Sequence, residues 1–163
     1  RKIGRDSEAL LRDPAGRGWW VAFEQRHQLI LYDRDFRRAI DRVPVPDTRF
    51  RDNRGIEALS AAKGITWHAE ASGVSDAATL ADGRVLLLRR RFGAGGFQAS
   101  VEGLGGGPLR LPLRGLDNAE GLAAEMLEDG TIRLWVVTDN DFSRRRRTLL
   151  VALDVPQAAA AAD

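Results

Sequence analysis

A short motif, glutamate followed by a small residue and then leucine, occurs three times along the chain, as Glu8-Ala9-Leu10, Glu57-Ala58-Leu59 and Glu120-Gly121-Leu122. Each copy follows a polar or acidic lead-in: Asp6-Ser7, Asn53-Arg54-Gly55-Ile56 and Asp117-Asn118-Ala119. The first and third copies run on into a turn, a tryptophan-containing apolar stretch, a charged loop and a further apolar stretch. A weaker fourth copy, Val74-Ser75-Asp76-Ala77-Ala78, has aspartate in place of glutamate and leads into the turn Asp82-Gly83. The acidic positions 8, 57, 76 and 120 are spaced by 49, 19 and 44 residues. Intervals of ~40–50 residues are those of a four-stranded propeller blade, because each repeat is one unit that buries its apolar face only by stacking on a neighbour. The 19-residue interval is too short for four strands and predicts a second blade that is cut down.

The segments between the turns support strands. Trp19–Phe23, Gln28–Tyr32, Arg84–Leu88, Phe97–Val101, Ile132–Val137 and Thr148–Leu153 are short, rich in branched or aromatic residues, and bounded by Gly, Pro and Asp turn formers. Residues 118–127 have helical propensity, but the repeat assigns them to a strand. The expected fold is all-β and propeller-like. It has about four blades of four-stranded antiparallel sheets, one of them incomplete, over residues 1–156, followed by an Ala-rich tail at 157–163.

Composition removes several functions. There is no cysteine, so thiolate metal sites, disulfides and cysteine nucleophiles are excluded. Basic and acidic residues number 25 and 23, so no bulk charge favours nucleic acid, and no apolar run is long enough for a membrane-spanning helix. The two histidines, His27 and His68, lack two-histidine metal spacing. No serine stands in a Gly-x-Ser-x-Gly elbow, and the clusters at Gly93–Gly96 and Gly103–Gly107 carry no phosphate-loop lysine. The chain opens on Arg1 without an initiator methionine or an apolar signal segment, which reads as a trimmed product of a longer gene.

The repeat and its surroundings resemble the family described as esterase-like activity of phytase. The resemblance is carried by residues 6–10, Trp20 to His27, Asn53 to Leu59, Val74 to Ala77, Asp82 to Phe92, Asp117 to Leu122, Val137 to Phe142 and Arg147 to Leu150. It implies a β-propeller of about twice this length, with this chain as its C-terminal half. It also implies an exported bacterial protein, periplasmic or secreted, that hydrolyses phosphoric esters.

In a propeller the first strand of each blade lines the channel, so Glu8, Glu57, Asp76 and Glu120 are expected to converge. Converging carboxylates repel unless a hard cation or a proton neutralises them. Calcium, with six to eight oxygen ligands, suits such a set, with Asn53 and Asn118 as further ligands. The competing reading is that each glutamate caps its strand by accepting backbone N–H bonds. Asp139, Asp141 and Glu24 lie at the ends of second strands and are candidates to orient water for attack on a phosphate ester, although Asp139-Asn140-Asp141 is also an ordinary turn former. Arg89 and Arg147 are the candidates to hold phosphate oxygens, against a reading in which the arginine runs are solvated loops. Two functions follow: a calcium-dependent phosphoric ester hydrolase, or a non-catalytic propeller module with a structural cation or carboxylate ring. In either case a half-propeller exposes surfaces that pair with a second copy or with a missing N-terminal half.

Overall fold

The computed structural model describes residues 7–23, 27–45, 56–62, 64–69, 73–93, 96–111 and 118–157. Among these, every regular element is a strand. The first sheet runs in chain order through β1 (Ser7–Arg12), β2 (Gly18–Phe23), β3 (Gln28–Asp33) and β4 (Ala39–Pro44). β5 (Ile56–Ser60) and β6 (Thr66–Ala69) form a two-stranded second sheet. β7 (Val74–Thr79), β8 (Val85–Gly93), β9 (Gly96–Glu102) and the short β10 (Leu109–Arg110) form the third, and β11 (Ala119–Met126), β12 (Ile132–Thr138) and β13 (Leu150–Val155) the fourth. The chain divides into two compact units, Arg1–Asp76 and Ala77–Asp163.

The all-β expectation is met, with four antiparallel sheets. The shortened second repeat appears as the two-stranded sheet, and residues 119–126 form a strand as the repeat required. The fourth sheet has three strands among the described residues where four were expected. β4 was missed because every one of its residues is exposed, so no apolar alternation marks it.

The repeat has a structural identity that spacing alone did not reveal. Ser7 pairs with Phe23 and Ala9 with Ala22, leaving Glu8 as one extra residue on β1. Ile56 pairs with Ala69 and Ala58 with His68, leaving Glu57 extra on β5. Ala119 pairs with Thr138 and Gly121 with Val137, leaving Glu120 extra on β11. Each repeated glutamate therefore sits at a one-residue β-bulge near the start of its strand, where an extra residue bends the strand and leaves the ladder locally unpaired. A bulge also resets the alternation of side chains, so the residue before the glutamate and the second residue after it come to one face.

Burial follows that frame. In the first unit, Ala9 and Leu11, one and three positions after Glu8, join Trp20, Ala22, Leu29 and Leu31 to cover Ile56 and Leu59 of the second sheet. In the second unit, Ala119 and Leu122, one before and two after Glu120, join Ile132, Leu134 and Val136 against Leu86, Leu88, Ala99 and Val101 of the third sheet. The turns repeat as well. Leu80 N–H donates to the Arg84 carbonyl at 2.9 Å and Leu127 N–H to that of Thr131 at 2.8 Å. Within them Gly83 and Gly130 adopt φ of 87° and 81°, left-handed conformations that glycine accepts without strain. Ala78 and Leu80, two and four residues after Asp76, turn towards the second unit's core, as Leu122 and Ala124 do after Glu120.

Candidate functional site

The second unit gathers charge at the bulge of β11. Asn118, fully buried, immediately precedes β11 and is tied to the end of β12 twice. Its carbonyl accepts the Asp139 N–H at 3.0 Å, and its side-chain Nδ2 donates to the Asp139 carbonyl at 3.1 Å. The remaining end of that amide, Oδ1, accepts from Arg90 NH1, which also donates to Glu120 Oε1. Arg90 reaches this point because it extends the row Leu86, Leu88 on β8, whose alternate residues face the fourth sheet. The row ends in a cation where the facing strand presents a carboxylate.

Burial pushes the Glu120 carboxyl up from its ordinary value. Arg90 pulls it down, and the negative charges of Asp139 and Asp141 push it up again. Asp139 and Asp141 stand in an exposed loop after β12. The Asp139 Oδ1 accepts the Asp141 N–H at 3.2 Å, Asp141 Oδ2 pairs with Arg146 at 2.7 Å, and Thr138 closes the loop by donating from Oγ1 to the Arg147 carbonyl at 2.9 Å. Asp141 and Phe142 have φ of 50° and 55°, so this turn is held in an unusual backbone conformation by those bonds.

The residues singled out by sequence are placed as follows. Glu120 and Asn118 meet at Arg90, with Asp139 and Asp141 close enough to act on Glu120 electrostatically. Arg89 points away from the row of Arg90 and pairs with Glu102 at 2.8 Å. Arg147 contributes its backbone carbonyl to the loop closure. Glu8 and Glu57 lie on β1 and β5 of the first unit and Asp76 on β7. Asn53 and Glu24 lie outside the described residues. Sequence reasoning chose Arg89 and Arg147 rather than Arg90, although the alternation of Leu86, Leu88 and Arg90 marks it as the one member of the run Arg89–Arg91 that faces the core side.

Among the described residues no group of three His, Asp or Glu side chains is arranged to hold a metal ion. At Glu120 the counter-charge is a guanidinium, and a cation seated there has to displace Arg90. The residues described do not by themselves fit a calcium site, and no chemical step is routed through one. The cluster itself offers a half-buried carboxyl with a raised affinity for its proton, paired with the Arg90 guanidinium and within reach of two exposed carboxylates, Asp139 and Asp141, a set able to exchange a proton beside an anionic group.

The first unit carries a concavity on the face of the first sheet opposite its core. A cavity of about 400 Å³ is lined by Ser7, Glu8, Leu10, Phe23, Tyr32 and Phe36, among others. Phe36 stacks on Trp19 with centroids 6.0 Å apart and lies 6.2 Å from Tyr32. It is apolar apart from Glu8 and Ser7.

No curated protein matches the chain. Its N-terminal part, residues 1–67, matches the family model described as phytase-like, esterase-like activity of phytase, the family that the repeat resembles.

Proposed function

We propose that the chain is a segment of an exported phytase-like hydrolase that cleaves phosphoric esters. The family match over residues 1–67 carries this reading, and the Arg90–Asn118–Glu120 cluster supplies chemistry suited to it. In this role the Glu120 carboxyl, held protonated more readily than an ordinary glutamate, donates to the oxygen of the departing alcohol. Arg90 and Arg146 balance the charge of the phosphoryl group, and Asp139 and Asp141 orient water.

A second reading is favoured by one observation, that all three glutamates occupy bulges. In it the carboxylates are strand-start devices of a non-catalytic module. Phosphate release from phytate and from an aryl phosphate, measured with added calcium and with chelator, separates the two. The hydrolase reading predicts turnover, with and without chelator, that falls ~100-fold or more in Glu120→Gln at unchanged fold, the usual size of a lost acid catalyst. No turnover under any condition leaves the non-catalytic module.

A further inference from the structure

The two ends of the repeat expose opposite faces, and the frame set by the bulges says what each face fits. In the second and fourth sheets the face holding the position two after the glutamate is covered by another sheet, with Leu59 1% and Leu122 7% exposed. In the first sheet the same position, Leu10, is 57% exposed and borders the 400 Å³ cavity. Conversely, the face one and three after the glutamate is covered in the first sheet, where Ala9 and Leu11 meet the second sheet. In the fourth sheet that face is open. Cross-strand pairing puts Gly121, Val137 and Leu150 in one row and Ala123, Trp135 and Ala152 in the next, and Leu150 is 68% exposed.

We infer that the open face of the fourth sheet docks on the open face of the first sheet in a second copy of this chain. The contact repeats, between molecules, the pairing of faces that joins the first sheet to the second within one molecule. Shape and charge agree with it. The fourth sheet presents small residues around Trp135, Val137 and Leu150, while the first presents a cavity walled by Leu10, Phe23, Tyr32 and Phe36. The first sheet's open face carries Arg12 beside Trp19 and Arg42 beside Ile30 against one carboxylate, Glu8, at the cavity, so its excess is basic. On the fourth sheet Arg133 is satisfied by Asp154 at 2.7 Å, which leaves Glu125 as the excess charge. Exposed apolar sheet faces of this kind mark interaction surfaces. The pairing is heterologous, one kind of face on the other.

The absence of cysteine makes the test clean. Leu10→Cys and Ala123→Cys, mixed and oxidised gently, are expected to form a disulfide between the two variants, while neither variant alone cross-links to itself. Sedimentation of the unmodified chain is expected to show a dimer or a longer assembly, and Leu150→Asp to weaken association roughly tenfold or more by burying a charge in the contact. A chain that sediments as a monomer at high concentration overturns the inference. So does a Leu10→Cys variant that cross-links to itself as readily as to Ala123→Cys, since that pairs like faces. Neither result bears on whether phosphate esters are hydrolysed.

Discussion

Gly18→Ala is expected to abolish the cooperative unfolding transition of the first unit. Gly18 opens β2 opposite Asp33, and the backbone of β3 passes so close that a Cβ there falls 1.9 Å from the Tyr32 carbonyl oxygen and 2.9 Å from the carbonyl carbons of Tyr32 and Asp33. The atoms in the way are main chain held in a ladder, so no flexible side chain can turn aside. The two central strands have to separate, which removes the packing of Trp20 and Ala22 on Leu29 and Leu31. The cost is put at more than about 3 kcal/mol, above the usual range for an overpacked site. Urea unfolding followed by tryptophan fluorescence checks it, since Trp19, Trp20 and Trp67 all lie in this unit. A midpoint equal to that of the unsubstituted chain contradicts the close approach.

Asp13→Ala is expected to cost about 2–4 kcal/mol, because it strands several donors at once. Asp13 closes the β1–β2 turn with a side chain that is 2% exposed. It accepts from Trp20 Nε1 at 2.8 Å, from the Arg17 N–H at 3.1 Å, and from Arg17 Nε and NH2 at 2.9 and 3.1 Å. Alanine leaves the buried indole N–H of Trp20 without its acceptor. The Arg17 hydrogen bonds hold the Asp13 carboxyl far below the usual carboxylate range, aided by Trp20 and opposed by burial. A depressed carboxylate stabilises the fold while it is ionised, so its contribution is complete above the unfolded value of 3.8 and is lost as pH falls through the folded value. Asp13→Asn, which keeps the shape and removes the charge, is expected to be less stable at neutral pH and to lose less further stability between about pH 4 and pH 2 than the unsubstituted chain. Parallel losses in that window contradict the role of the charge.

Much of the fold was legible because the repeat and the turns are local signals. The stretches around Trp20, Ile30, Leu87 and Trp135 announce strands by branched and aromatic content. The Asp-Gly pairs at 82–83 and 129–130 announce hairpins, and the 19-residue interval announced the curtailed second sheet. The bulges were not legible. A bulge is a property of two strands in register, and the sequence of one strand does not state that its partner lacks a residue opposite Glu8 or Glu120. Arg90 was overlooked for a related reason. In a run of three arginines, chemistry alone does not rank the members, whereas alternation along β8 puts Arg89 towards Glu102 and Arg90 towards Glu120. The fourth repeat copy keeps the burial pattern of the third, with Ala78 and Leu80 after Asp76 facing the core as Leu122 and Ala124 do after Glu120.

The repeated glutamate is a bulge residue whose charge, in the third copy, is answered by the chain's own Arg90. A double-mutant cycle on Arg90→Met and Glu120→Gln, read by urea unfolding with and without calcium, tests this most directly. The pair is about one-third exposed on each side. The expected coupling is about 1 kcal/mol, at the upper end of what exposed pairs give and below that of fully buried ones, with the unsubstituted chain unchanged by calcium. A coupling near zero, together with a calcium-induced rise in stability that disappears in Glu120→Gln, contradicts the account and makes the carboxylate a cation ligand.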